Sequence, residues 1–189
     1  MDYQSHLTFY KDFPVEGINF VDIIPLMQDK ALFRQLMADL GALCEAPNIA
    51  TPEARGFLFA APLLTECEKV EGLIPLRKKG KLPFREGDLV GVDIHKEYGT
   101  DRLYYRLSDI AAGKREGDEF RLTFFDDVLA TGGTALGAAR SLQAQKIVVD
   151  GVECHIRVTD FVFLVELDDL KGRETLQEIA PVKSLIHLK

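Results

Sequence analysis

Residues 122–134 read LTFFDDVLATGGT, and the rest of the chain is best read outward from them. Residues 122–125 are a continuous apolar run of strand length, as expected of a strand covered on both faces. Asp126 and Asp127 put acid at its carboxyl end. A loop of small residues follows, Ala130-Thr131-Gly132-Gly133-Thr134, and then a helix is predicted over 134–143 with Ala135, Ala138, Ala139 and Leu142 inward. In open α/β sheets, ligands bind at such strand ends. Gly132 and Gly133 free the backbone to wrap an anion, and Thr131 and Thr134 add hydroxyls. Amide N–H groups and the positive end of a helix dipole suit a phosphate monoester. A carboxylate beside that cradle repels phosphate, so Asp126 and Asp127 call for a neutral donor such as a sugar diol. The stretch therefore asks for a phosphorylated sugar with free hydroxyls. A glycine pair alone would be an ordinary turn; strand, acids, loop and helix in series favour the functional reading. No Gly-Lys-Ser/Thr closes the loop, which excludes an ATPase phosphate loop.

The flanking sequence alternates strands and helices. Asp29 caps a predicted helix over 30–44, with Leu32, Phe33, Leu36, Met37, Leu40 and Leu43 on one face. Strands are predicted at 72–76, 88–94, 101–107 and 161–167, and a short helix at 171–179. Asp150-Gly151 between the β-rich runs 146–149 and 152–156 predicts a type I′ hairpin. Residues 12–25 read as a structured loop. This pattern predicts an α/β fold with a central, mainly parallel sheet flanked by helices.

The chain has 189 residues, enough to bury about 70% of its open-chain surface in one core. It carries 30 acidic and 23 basic residues, net charge −7, which argues against nucleic acid or an anionic membrane as a partner. Three cysteines without a CxxC, no secretory leader and no long apolar run predict a cytoplasmic protein with reduced thiols.

Four further segments carry chemistry. Residues 77–85, RKKGKLPFR, hold five cations and no acid, which suits a pyrophosphate; a solvated loop or a nucleic-acid patch fits the charge alone. In EARGFLFA (53–60), Arg55 stands at a helix start, where it could reach an anion or be an ordinary surface arginine. In EYGTD (97–101), a carboxylate beside glycine could be a general acid or base, or simply an exposed turn acid. In DFPVEGINFVDIIP (12–25), a shaped loop presents Phe20, or straps the core.

The 122–134 stretch resembles the phosphoribosyl pyrophosphate motif of the type I phosphoribosyltransferases. With the other segments, and VELDDLKGRETL at 165–176, the chain resembles the adenine phosphoribosyltransferase family in motif order over most of residues 10–178. The resemblance implies the type I phosphoribosyltransferase fold, as one domain. A small N-terminal hood of about 1–28 precedes a core of about 29–189, with the hairpin at about 146–156 looking inserted. It implies that loop amides of Ala130, Thr131, Gly132, Gly133 and Thr134 hold the 5′-phosphate, and that Asp126 and Asp127 hold the ribose hydroxyls. Arg55, Arg77 and Lys81 would meet the pyrophosphate, the last two partly across a homodimer. Phe20 would stack on the base opposite Leu167, and backbone groups of Asn19 and Val21 would bond its edge; Val21 stands where the family usually has Arg or Lys. Glu97 would be the catalytic carboxylate near N7, with Tyr98 on a closing loop. Mg²⁺ would come mainly with phosphoribosyl pyrophosphate, and no protein metal site is implied. The implied reaction is purine salvage, adenine to AMP with release of pyrophosphate. Transfer to hypoxanthine, guanine or xanthine, or a regulator that only senses phosphoribosyl pyrophosphate, are the alternatives.

Overall fold

The strand at the heart of the fold is longer than its apolar run. In the computed structural model, which describes the backbone of residues 1–96 and 99–189 and the side chains of 1–94 and 101–189, it extends over Glu119–Leu129. In chain order the elements are β1 (Thr8–Lys11), β2 (Asn19–Asp22), α1 (Lys30–Leu43), β3 (Asn48–Pro52), α2 (Gly56–Glu66), β4 (Gly72–Lys78), β5 (Leu89–Lys96) and β6 (Gly99–Arg106). They continue with α3 (Leu107–Ala111), β7 (Glu119–Leu129), α4 (Gly133–Gln143), β8 (Lys146–Val149), β9 (Val152–Leu167), α5 (Gly172–Leu176) and β10 (Val182–Leu188). The main sheet runs β10-β9-β7-β3-β4-β6-β5. Its first five strands are parallel; β6 and β5 close one side antiparallel, and β8 pairs antiparallel with β9. No helix among the described residues is long and apolar enough to cross a membrane.

Strand alternation splits the core between the two faces of this sheet. Phe124, Phe161 and Phe163 pack with Ala135, Ala138 and Leu142 of α4. Phe125, Val162 and Leu164 pack on the other face with Leu36, Met37 and Leu40 of α1 and Phe59 and Leu63 of α2. Asp29 caps α1 as its sequence predicts, accepting from Ala31 N (2.8 Å) and Leu32 N (2.9 Å). The N-terminal segment joins this second face through Val21, Ile23 and Leu26, which holds the β1–β2 hairpin beside the parallel strand ends.

Several boundaries differ from the pattern in the sequence. The two acids lie within β7, because Val128 and Leu129 continue the ladder opposite Val165 and Glu166. The predicted strands at 152–156 and 161–167 are one strand, β9. A register shift places Leu122 opposite Val158 and Thr123 opposite Asp160, so Thr159 is an extra residue that breaks the alternation. Asp160 is buried there on Thr123 Oγ1 at 2.8 Å and Thr159 Oγ1 at 2.9 Å. Arg77 and Lys78 end β4 rather than opening the basic loop, and α5 stops at Leu176. The Asp150-Gly151 turn has positive φ at both residues (55° and 79°), as a type I′ hairpin requires.

Asn48 fixes the start of β3. Its amide donates to Lys114 O (2.8 Å) and Arg121 O (3.0 Å), and its Oδ1 accepts from Lys114 N at 2.7 Å. A Cβ on Gly72 or Gly113 would fall 2.5 Å from that oxygen, so both glycines are required for its fit. Asn48→Ala leaves three part-buried backbone groups without their partner and is expected to lower unfolding stability by about 3 kcal/mol, read by chemical denaturation. A loss below about 1 kcal/mol would mean that water replaces the amide.

Candidate active site

The carboxyl ends of β3, β4 and β7, with the start of α4, border a cleft of about 210 Å³. Asp126, Asp127 and Thr134 line one side; Glu53, Ala54, Arg55, Lys78, Asp101 and Leu103 line the other. The decisive stretch therefore does deliver both acids to a cavity. Gly132 has a left-handed φ of 82° and stands at the N-cap of α4, a conformation that favours glycine. It is buried, whereas Gly133 and Thr134 are partly open, so the loop offers one face to the cleft and its back to the protein.

Arg55 joins three parts of the site. Its Nε lies 2.7 Å from Asp127 Oδ2, its Nη1 donates to Val21 O at 3.1 Å, and its guanidinium carbon lies 4.9 Å from the centre of the Phe20 ring. The Nε contact is close, yet the N–H is not aimed at Asp127 Oδ2, and that buried oxygen has no hydrogen bond. That oxygen keeps a charge contact with Arg55 without a hydrogen bond. Asp126 Oδ1 accepts from Asp127 N at 2.9 Å. Burial, then the neighbouring Asp127 charge, raises the Asp126 carboxyl well above its ordinary range. A Cβ on Gly56 would approach Thr51 Oγ1 to 2.4 Å and Asp126 Oδ1 to 3.2 Å, so glycine is needed where α2 meets the acids.

The basic segment divides. Lys78 faces the cleft, opposite Leu103 in the β4–β6 register. Arg77 turns away to Glu53 Oε2 (2.7 Å) and to Lys81 O (3.2 Å). Burial alone would raise Glu53, but bonds from Arg77 and from Lys78 N (3.1 Å) outweigh it and hold its carboxyl below the usual range. Lys81 is exposed and does not line the cleft. Phe20 is half-buried on β2, with Phe13 edge-on at 5.2 Å. Asn19 is exposed, Val21 is buried, and Leu167 is half-buried at the end of β9. Glu97 and Tyr98 lie outside the described residues.

Residue types alone did not single out Glu53, Lys78 or Leu103. Period-two alternation could have flagged that Arg77 and Lys78 point to opposite faces, but not which one meets the cleft. Glu166, Asp168 and His187 bring potential ligand atoms within 4.8 Å of one another, but Glu166 is already taken by Arg173.

No family model matches the chain. An adenine phosphoribosyltransferase from Parasynechococcus marenigrum is 39% identical over 189 residues, covering 98% of each chain. The crystal structure of adenine phosphoribosyltransferase from Thermoanaerobacter pseudethanolicus superimposes with a TM-score of 0.80 at 34% identity, covering 99% of this chain and 98% of that one. The Saccharomyces cerevisiae enzyme, solved with adenine and an iminoaltritol bisphosphate, gives 0.74 at 30% identity, covering 97% and 96%. With acids, glycine loop and arginine gathered at one cleft, and with relatives this similar over nearly the whole of both chains, the protein belongs to the adenine phosphoribosyltransferase family.

Proposed function

We propose that this chain transfers the 5-phosphoribosyl group from phosphoribosyl pyrophosphate to adenine, giving AMP and pyrophosphate, as a purine-salvage enzyme. The observation that carries this reading is the joint opening of Asp126, Asp127 and Thr134 onto one cleft at a helix N-terminus. Amides of 130–134 hold the 5′-phosphate, and the two acids accept the ribose hydroxyls. The anomeric C–O bond breaks, its electron pair leaves with pyrophosphate, and a ring nitrogen of adenine bonds to the same carbon. Lys78 and Arg55, the cations facing the cleft, offset the charge on the leaving group. Glu97 takes up the proton that the base gives away, and Tyr98 rides the loop that excludes water. The base lies on Phe20 against Leu167, with its edge on backbone groups of Asn19 and Val21.

Mg²⁺ would arrive on the pyrophosphate and shield its charge. Lys81, exposed on the basic loop and off its own chain's cleft, supports a homodimer whose basic loops reach across. Free Cys44, Cys67 and Cys154 support a cytoplasmic setting.

Purified protein with Mg²⁺ and phosphoribosyl pyrophosphate is expected to release pyrophosphate when adenine is added, and not with hypoxanthine, guanine or xanthine. Turnover with a 6-oxopurine alone would reassign the base. Tight binding of phosphoribosyl pyrophosphate without turnover on any base would make the protein a sensor.

A further inference from the structure

The back of the phosphate loop is closed by a second glycine far away in sequence. A Cβ built on Gly172 would fall 2.2 Å from Ala130 O, 2.7 Å from Leu129 Cδ1 and 3.1 Å from Gly132 N. The reverse holds as well: a Cβ on Gly132 would fall 3.0 Å from Gly172 O and 3.3 Å from Leu176 Cγ. Backbone therefore lies on backbone between loop and α5, with no room for a methyl group on either side.

The next residue pins this contact in place. Arg173 Nε donates to Glu166 Oε1 at 2.8 Å, Nη2 reaches Glu166 Oε2, and Nη1 donates to Val182 O. Glu166 is 3% exposed, and Ser184 Oγ donates to it as well. Glu166 stands opposite Leu129 in the β7–β9 ladder, at the point where the phosphate loop leaves the sheet. One forked ion pair thus ties the start of α5 to the strand that borders the loop. Lys171, with a left-handed φ of 54°, turns the chain into that position.

We propose that Gly172 and the Arg173–Glu166 pair are positioning residues for the substrate's 5′-phosphate. They form the wall that holds the amides of 130–134 in the curvature a phosphoryl group needs. This rests on the loop being the 5′-phosphate site. The contacts of these residues lie behind the loop, so their effect passes through its shape.

Gly172→Ala is the direct test, because the added methyl forces Ala130 and Gly132 apart from α5. KM for phosphoribosyl pyrophosphate is expected to rise about tenfold or more, with kcat and the inhibition constant of pyrophosphate within about twofold of wild type. Binding of ribose 5-phosphate, measured by calorimetry, should weaken by the same factor. Arg173→Lys keeps the charge and loses the fork, so it should fall between wild type and Arg173→Ala in all these quantities. Melting temperatures are recorded for each, and Arg173→Lys decides the matter if Gly172→Ala does not fold. Equal loss of pyrophosphate and ribose 5-phosphate binding would overturn the proposal, since a merely structural defect does that. So would wild-type ribose 5-phosphate affinity in both Gly172→Ala and Arg173→Lys. Failure of the wild-type protein to prefer ribose 5-phosphate over ribose would instead remove the loop assignment beneath it.

Discussion

Arg55→Ala is expected to lower kcat/KM by about 100-fold or more, with KM rising for adenine and for phosphoribosyl pyrophosphate together. A residue that met only pyrophosphate would leave the adenine term alone. Arg55 touches both halves of the proposed site: Asp127, proposed for the sugar, and Val21 O and the Phe20 ring, proposed for the base. The guanidinium stands over an aromatic ring and bonds a backbone carbonyl, a cation–π contact and a hydrogen bond from one side chain. It holds the base platform and the sugar acid in register before either ligand arrives. Its removal also leaves Asp127, 6% exposed, without a cation and next to a second carboxyl. Arg55→Lys restores charge but neither the stack nor the Val21 bond, so it should recover part of the phosphoribosyl pyrophosphate term and little of the adenine term. Steady-state kinetics with both substrates varied reads these separately. A full recovery by lysine would show that Arg55 acts through its charge alone.

The same residue shows where a sequence stops being informative. Arg55 at a helix start is visible in EARGFLFA, but its partners Val21 and Asp127 are 34 and 72 positions away, and only the tertiary fold selects them. The parallel core was legible because buried strands such as 161–165 are apolar without a break, and α1 because its stripe and its Asp29 cap agree. β9 was misread as two strands at Asp160. A buried carboxylate looks like a strand end unless its partners, Thr123 and Thr159, are known. The 130–134 loop was legible as a candidate anion site, since glycine, hydroxyl and acid stand together in 122–134. Its support was not: the approach of Gly172 to Ala130 is a contact between two backbones, and glycine in sequence does not name the atom that excludes a side chain.

Asp126→Asn should separate stability from function in a single substitution. Activity is expected to fall about 100-fold or more, because an amide cannot accept from a ribose hydroxyl as a carboxylate does. Thermal stability near neutral pH should rise. Burial first and the Asp127 charge second hold the folded-state pKa of Asp126 above its unfolded value. The folded protein therefore binds this proton more tightly than the unfolded chain, and stability is lost as pH climbs through the ordinary aspartate range toward the raised value. Above that window the ionised pair is a standing penalty on the fold. Asparagine removes the charge, keeps an oxygen to accept from Asp127 N, and adds an N–H able to face the Asp127 carboxylate. The gain in melting temperature should be near zero at about pH 2, where Asp126 is protonated in both states, and grow as pH rises above the ordinary aspartate range. Other carboxyls with lowered values, Glu53 among them, shift wild type and variant alike and drop out of the difference. A variant that melts below wild type at neutral pH, or a gain that does not change with pH, would show that the two acids do not repel each other in the empty site.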